Sequence, residues 1–144
     1  MAHSCVENYL HIIFSTKNRD CIIPSTLDTQ LHSYIAGIAK QRQVPLLRIN
    51  GTEDHIHILL KLHPNVALST LLKEVKAYST SWIKKQGCTH FAWQEGYGGF
   101  SCSFSHLKRL KKYIEIQKEH HKKITFKEEI DTLNRQWGTT WMND

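Results

Sequence analysis

Two histidines separated by one apolar residue have the clearest chemical potential in this chain. They lie in the segment Asp54-His55-Ile56-His57-Ile58-Leu59-Leu60, whose apolar and β-branched residues predict a buried strand. Side chains alternate between the two faces of a strand, so His55 and His57 point the same way, about 6.6 Å apart along the strand. Two imidazoles at that spacing can converge on one metal ion or one phosphate.

A tyrosine and a glutamine form a second pair in a basic segment near the C-terminus. The apolar spacing there predicts a helix over about residues 105–121. Tyr113 and Gln117 are four residues apart, so they share one helix face and would be presented together towards the sheet. A phenol, with a reference pKa of about 10, is both a usable nucleophile and a good leaving group.

The rest of the chain predicts the elements that position these pairs. Strands are expected over residues 8–16, 44–50, 54–62 and 100–104, and helices over 25–43, 68–86, 105–121 and 126–137. The order strand-helix-strand-strand-helix-strand predicts an α+β fold. Its form is a ferredoxin-like (RRM-like) split βαβ sandwich with an antiparallel sheet and an added C-terminal tyrosine-bearing helix. The histidine strand is then central.

Several details of these elements follow from single residues. Ser25 and Ser105 are expected to cap the first and third helices. Tyr78 is expected on the buried face of the second helix, and residues 92–99 are expected to form a glycine-rich, flexible connector.

Length and composition predict one domain across residues 1–144, with a core of about 8–104 and helices over about 105–137. The net charge of +6 favours a polyanionic partner without proving one. No apolar run approaches the roughly 20 residues that cross a bilayer, and the N-terminus has no signal-peptide pattern. We therefore expect a cytoplasmic protein with no membrane partner. The cysteines lack C-x-x-C spacing, which favours reduced thiols; they are Cys5, Cys21, Cys88 and Cys102.

Taken in order, these motifs resemble a known family. A His-x-His strand is followed by Trp93-Gln94-Glu95-Gly96-Tyr97-Gly98-Gly99-Phe100-Ser101, then by Tyr113-Ile114-x-x-Gln117-x-x-His120-His121, with Phe126 and Glu129 beyond. This combination resembles the short single-tyrosine HUH transposases of bacterial insertion sequences. The resemblance extends from Phe14-Ser15-Thr16-Lys17 to about Leu133.

The resemblance implies a reaction and a partner. His55, His57 and Gln117 would hold a divalent metal, Mg²⁺ or Mn²⁺, and Tyr113 would attack a DNA phosphate. The attack would form a 5′-phosphotyrosine and release a 3′-hydroxyl, which makes the enzyme a single-strand endonuclease and ligase. The substrate would be single-stranded DNA with hairpin ends. The family also implies a homodimer in which the tyrosine helix acts in trans, on the partner's histidines.

This implied ligand set has a consequence for metal affinity. Two imidazoles and one amide bring no negative charge, so we expect weak binding of Mg²⁺ or Mn²⁺ before DNA completes the shell. Neighbouring residues on a helix face different directions, so capping or packing is the expected role of His120 and His121.

Basic and aromatic side chains are candidates for DNA contact, although basic residues can also be a solvated helix face and aromatic residues part of the core. The candidates are Lys76, Trp93, Tyr97, Lys108, Arg109, Lys111 and Lys112.

Two other classes of function fit parts of the pattern. A non-catalytic single-stranded nucleic-acid-binding module can share the RRM-like fold, but such modules display aromatics on the outer sheet face, where this chain has His55 and His57. A small metal hydrolase needs a general base, and no Asp or Glu is evident near the histidines. Both differences favour the transposase.

Overall fold

The protein is described by a computed structural model that covers residues 3–20 and 22–142, so Cys21 lies outside the described residues. In chain order the elements are β1 (Tyr9–Ser15), α1 (Asp28–Gln41), β2 (Leu46–Gly51), β3 (His55–Lys61), α2 (Leu68–Lys85), β4 (Gly98–Cys102), α3 (Leu107–Glu115), α4 (Gln117–His120) and α5 (Phe126–Trp137). Single 3₁₀ turns cover Lys17–Arg19 and Phe104–His106.

The strands form one antiparallel sheet in the order β2-β3-β1-β4, which confirms the predicted α+β fold with the histidine strand at its centre. In the register of β1 with β3, Ile13 lies opposite His57 and Ser15 lies opposite His55. Paired residues point to the same face, so His11, two positions before Ile13, also shares the face of the two histidines.

One face of the sheet carries the main hydrophobic core. Ile12 and Phe14 of β1 and Ile56 and Ile58 of β3 are buried there against α1 and α2. The helices contribute their own apolar stripes, which are Leu31, Ile35 and Ile38 from α1 and Leu71, Leu72, Val75 and Ile83 from α2. This packing is the split βαβ layer that the sequence predicts.

The other face is covered by α3, α4 and α5. Two apolar clusters lie on it: Ile13, Phe100, Phe126 and Ile130 form one, and Leu59, Leu107 and Ile114 form the other. His55 and His57 are completely buried there. RNA-recognition domains bind bases on an open sheet face, and here the helices occupy that face. The arrangement therefore disfavours the RRM-like binding module.

The prediction of one continuous third helix over about residues 105–121 is wrong. It is divided at Ile116, whose φ of −98° and ψ of 17° depart from helical values. Asn50 of β2 stabilises this break, because its Nδ2 donates to the carbonyls of Ile114 at 3.0 Å and Glu115 at 3.1 Å. Ser105 is not its cap either: it lies within the 3₁₀ turn before α3.

Other local predictions also need correction. Tyr78 is 49% exposed, because Ser79 and Ile83 instead follow Val75 on the buried face of α2. Ser25 does not cap α1, which begins at Asp28 without a side-chain cap. Gly98 and Gly99 are paired in β4 with Ile13 and Ile12, so the end of the predicted connector is an ordered strand.

Phe104, expected at the end of the fourth strand, lies beyond it and is 77% exposed. Within the described ranges, no helix has the combination of length and apolar character that crossing a bilayer requires.

His32 of α1 is a buried titratable residue away from the histidine strand. Burial, followed by the nearby charge of Lys118, lowers its pKa from 6.5 to about 4. In the unfolded chain His32 takes up a proton near pH 6.5, whereas in the folded chain it stays neutral until about pH 4.

We therefore predict that His32 makes the free energy of unfolding fall as the pH drops from 6.5 to about 4, by up to about 3 kcal/mol. Urea unfolding of the wild type and His32→Leu across this range measures the effect. The variant should gain stability relative to the wild type as the pH falls. A constant difference between the two proteins would contradict the assignment.

Candidate active site

His55 is held by the turn that precedes β3. Its Nδ1 donates to Asp54 Oδ1 at 2.7 Å and lies 2.9 Å from Thr52 Oγ1. A carboxylate can only accept, so the ring hydrogen is on Nδ1 and the Nε2 lone pair is free. Nε2 is buried and has no hydrogen-bond partner among the described residues. The Phe126 ring stacks on this imidazole at a centroid distance of 4.1 Å.

His57 is held by another histidine. His57 Nδ1 lies 2.8 Å from His11 Nε2, and His11 is only 6% exposed. Burial, followed by the neighbouring His57, lowers the pKa of His11 to about 3, so this residue is neutral at neutral pH. A neutral imidazole in this position fixes the orientation of His57 and directs its Nε2 towards the other side chains of the site.

Glu129 lies at the centre of these side chains. Its Oε1 is 3.1 Å from His57 Nε2, 3.0 Å from His121 Nε2 and 3.6 Å from His55 Nε2. Its Oε2 accepts a hydrogen bond from the Tyr113 hydroxyl. Glu129 is 2% exposed. One buried carboxylate thus joins β3, α3, α5 and the turn that follows α4.

The electrostatics of this group depend on that carboxylate. Burial alone raises the pKa of Glu129, but the charge of His57 and hydrogen bonds from His121, His57 and Tyr113 outweigh burial and bring the pKa well below its usual value. Burial and the charge of Glu129 in turn raise the pKa of Tyr113. The site as described therefore holds an ionised carboxylate and a neutral phenol.

Local sequence explains why Glu129 reaches this position. Thr125 and Glu128 form a capping box at the start of α5, in which Thr125 Oγ1 accepts from the Glu128 amide at 3.1 Å and Glu128 Oε1 accepts from the Thr125 amide at 3.1 Å. The cap fixes the first turn, and Ile130 packs beside Ile13 on the sheet. A carboxylate near a helix N-terminus is also favoured by the helix dipole.

Tyr113 and Gln117 lie together, as their spacing predicts. Gln117 Nε2 donates to the Tyr113 carbonyl at 3.0 Å, and the completely buried Gln117 Oε1 has no hydrogen-bond partner among the described residues. The Tyr113 ring lies 5.8 Å from the ring of His57. Tyr113 therefore lies beside the histidines of its own chain, whereas the resemblance implies those of a partner.

The donor set suits a divalent ion. One ligand atom from each of His55, His57, His121 and Glu129 lies within 4.8 Å of the others. Two buried atoms, His55 Nε2 and Gln117 Oε1, have no hydrogen-bond partner in the described chain. They also indicate a bound ion, because a buried polar atom without a partner destabilises the fold unless a ligand binds it. A set of imidazole, carboxylate and amide ligands suits Mn²⁺, which accepts nitrogen ligands. It suits Mg²⁺ best if fewer of the histidines bind, because Mg²⁺ prefers oxygen ligands.

Two residues of this cluster were missed at the sequence level. Capping or packing is the role expected of His121 from the sequence, yet its ring faces Glu129 because the helix is interrupted at Ile116. In the sequence Glu129 stands out only as part of a motif, and the capping pattern of Thr125 and Glu128 just before it is the one local feature that predicts its position in the first turns of a helix. The expectation that no acid lies near the histidines, which was the objection to a hydrolase, is therefore wrong, because Glu129 Oε1 lies 3.1 Å from His57 Nε2. The ligand set of His55, His57 and Gln117 stays a prediction, and Glu129 is a further candidate ligand.

The residues predicted to contact DNA differ in accessibility. Lys108, Arg109 and Lys112 are exposed on α3, and Lys111 is half-buried. Lys76 is half-buried, and its Nζ donates to the carbonyls of Gln94, at 2.9 Å, and Gly96.

Neither predicted aromatic contact is a free platform for a base. Trp93 is 8% exposed in the core, with its Nε1 donating to Ser79 Oγ at 3.0 Å. Its burial favours the alternative that the sequence leaves open, in which Trp93 is part of the core. Tyr97 is half-buried against the same core.

The amino-acid sequence of this chain matches a known protein family. The sequence model described as "Transposase IS200 like" matches residues 4–117, a range that contains the histidine strand, Tyr113 and Gln117 but ends before His121 and Glu129. No curated protein matches the chain.

Two solved structures share the fold. A candidate transposase from Deinococcus radiodurans is 22% identical, with a TM-score of 0.61 over 81% of this chain and 96% of that chain. A REP-associated tyrosine transposase, solved with a REP hairpin, is 17% identical, with a TM-score of 0.62 over 84% of this chain and 72% of that chain. At these identities the likeness establishes the fold alone, and the family rests on the sequence match. With that match spanning most of its length, this chain belongs to the IS200-like transposase family.

Proposed function

We propose that this transposase is a metal-dependent, single-tyrosine HUH enzyme that cuts and rejoins single-stranded DNA. The observation that carries the proposal is the hydrogen bond from the Tyr113 hydroxyl to Glu129, whose other oxygen faces His55, His57 and His121. A nucleophile is thus joined through one carboxylate to a candidate metal centre. Residues 1–144 would act as one domain, with the α5 helix contributing directly to the site.

In this proposal His55, His57 and Gln117 hold Mg²⁺ or Mn²⁺, as the resemblance implies, and Glu129 and His121 join them. When bound, the ion supplies Lewis-acid stabilisation of the negative charge on the scissile phosphate. Asp54 and His11 keep the two strand imidazoles in their ligating orientations. Because Glu129 adds a negative charge, the affinity for metal should exceed that of a neutral ligand set.

Tyr113 performs the covalent step. Its oxygen forms a bond to phosphorus while the bond from phosphorus to the 3′-oxygen breaks. Formation of that bond makes the phenolic O–H far more acidic than in the free side chain, and its proton then moves to Glu129 Oε2, its hydrogen-bond partner. The 3′-oxygen takes a proton from solvent. The product is a 5′-phosphotyrosine that retains the energy of the phosphodiester, so a second 3′-hydroxyl can reverse the step and rejoin the strands.

The substrate we propose is single-stranded DNA with hairpin ends at an insertion sequence. A structural relative binds a REP hairpin, which supports this choice. The net charge of +6 favours binding to the phosphate backbone. The exposed Lys108, Arg109 and Lys112 of α3 adjoin the tyrosine, with Lys111 between them, and are the proposed phosphate contacts.

The resemblance implies a homodimer in which the tyrosine acts in trans. Within one chain, however, the Tyr113 hydroxyl already contacts Glu129, and α3 follows β4 through only a short 3₁₀ turn. We therefore propose that each chain assembles its site in cis, whether or not two copies associate.

We predict that wild-type protein, incubated with labelled single-stranded element-end DNA and Mn²⁺, gives a covalent adduct on denaturing electrophoresis. Tyr113→Phe should give none, because it lacks the nucleophilic oxygen. Tyr97→Phe is the matched control and should form the adduct. DNA cleaved by Tyr113→Phe would indicate hydrolysis, and tight binding without any adduct would indicate a binding module. Either result contradicts the proposal.

We predict that Glu129→Gln lowers the affinity for Mn²⁺ by about tenfold or more, because the amide keeps the shape of the side chain but removes its charge. Titration calorimetry without DNA measures this effect. Glu128→Gln is the control: the residue is adjacent and exposed, and glutamine also suits a capping box. Equal affinity of both variants and the wild type would exclude Glu129 as a ligand.

Mixing two inactive variants tests the cis arrangement. Tyr113→Phe lacks the nucleophile and His57→Ala lacks a metal ligand. If each chain completes its own site, co-refolded mixtures should form no adduct, since neither chain carries both groups. Recovery of adduct formation in the mixture would show that tyrosine and histidines come from different copies, as in the homodimer that the resemblance implies.

A further inference from the structure

A cavity of about 740 Å³ opens beside the tyrosine, between β4, α3 and α5. Tyr113 and Glu129 form part of its wall, and β4 is an edge strand of the sheet. Anything that occupies the cavity therefore lies next to the nucleophile. Its volume is within the range of about 300–1,000 Å³ that is typical of small-ligand sites.

The cavity wall is largely apolar and includes an exposed aromatic ring. Phe100, Leu110 and Leu133 contribute apolar surface, and Trp137 of α5 is 48% exposed. The Trp137 ring lies 5.6 Å from the Phe100 ring, tilted by 39°. A half-exposed indole that lines a cavity leaves part of its ring surface available to a planar partner. This ring, unlike Trp93, is accessible.

Polar and basic side chains also line the cavity. They include Arg109 of α3 and His106 of the preceding 3₁₀ turn, with Ser101 of β4 and Ser103 just after that strand. A site that combines an aromatic face with a guanidinium matches the two parts of a nucleotide, a flat base and an anionic phosphate. A purely apolar occupant would leave Arg109 unused.

We propose that this cavity binds the base of a nucleotide that flanks the scissile phosphate, stacked on Trp137, with a backbone phosphate against Arg109. The inference rests on the proposed function, because Tyr113 in the wall is what identifies the occupant as the reacting strand. Trp137 thereby positions the phosphate in front of Tyr113. The role falls to α5, the same helix that carries Glu129.

The test uses the Tyr113→Phe chain and two single-stranded probes, pentathymidylate and an abasic strand of the same length and phosphate number. Tryptophan fluorescence and binding titrations are recorded for both probes. Because the assay requires no cleavage and no known recognition sequence, it reports on the cavity independently of the covalent reaction. Each variant below is made in this background.

Pentathymidylate should bind at least about tenfold more tightly than the abasic strand and should quench tryptophan fluorescence, since stacking stabilises each base. Trp137→Ala should bind the two probes equally and lose the quenching, whereas Trp137→Phe should keep most of the preference. Arg109→Gln should lower the affinity for both probes alike, and the salt dependence of binding should fall by about one phosphate contact.

Trp82→Ala is the matched control, because Trp82 lies on α2, away from the cavity, and stacks on Tyr34 at 5.4 Å. Trp82→Ala should keep the parent chain's preference for pentathymidylate over the abasic strand and its fluorescence quenching. The proposal is overturned if Trp137→Ala, still folded by circular dichroism, keeps the parent's preference for pentathymidylate, or if the parent has no preference. If the wild type forms the covalent adduct but the Tyr113→Phe chain shows no preference for pentathymidylate, only the proposed base site in the cavity is refuted. If the preference is found but the wild type forms no adduct, only the catalytic proposal is refuted.

Discussion

The buried carboxylate of Glu129 is the interaction on which the second face of the sheet depends. A charge that is almost fully removed from water is costly unless hydrogen bonds and opposite charge surround it. Glu129 meets this requirement with His57, His121 and Tyr113, which belong to three different parts of the chain. The need to satisfy one anion therefore brings together the strand, the tyrosine helix and the C-terminal helix.

The two faces of the sheet have different roles: one carries the main hydrophobic core, and the other carries the candidate active site. Ile12, Phe14, Ile56 and Ile58 pack against α1 and α2 on one face, where burial of apolar surface is the main contribution. On the other face two smaller apolar clusters lie on either side of the polar site. They exclude water from the histidines, and in a dry environment the hydrogen bonds between charged groups are stronger. The cavity beside Tyr113 opens from this second face.

The sequence predicts well what depends on local periodicity. The shared face of His55 and His57, the common helix face of Tyr113 and Gln117, and the succession of strands and helices along the chain all follow from repeats of two or of about 3.6 residues. The interruption at Ile116 could not be predicted in this way, because Asn50 stabilises it from a different strand.

Glu129 and Trp93 illustrate the same limit. Glu129 lies 16 residues beyond Tyr113, and only the docking of α5 on Ile13 and Phe100 brings their side chains together. Trp93 looks like a stacking residue in the sequence, but Ser79 on α2 satisfies its indole nitrogen inside the core. Long-range packing, which no local pattern encodes, decides the role of each of these residues.

We propose above that one chain forms a metal centre beside Tyr113, completed by Glu129. Anomalous diffraction from crystals of the wild-type protein grown with Mn²⁺ would locate this ion. We expect one strong anomalous peak within bonding distance of His55 Nε2, His57 Nε2 and a Glu129 oxygen of the same chain. A peak coordinated by histidines and a glutamate from two different chains would contradict this proposal, as would saturating Mn²⁺ with no peak among these side chains.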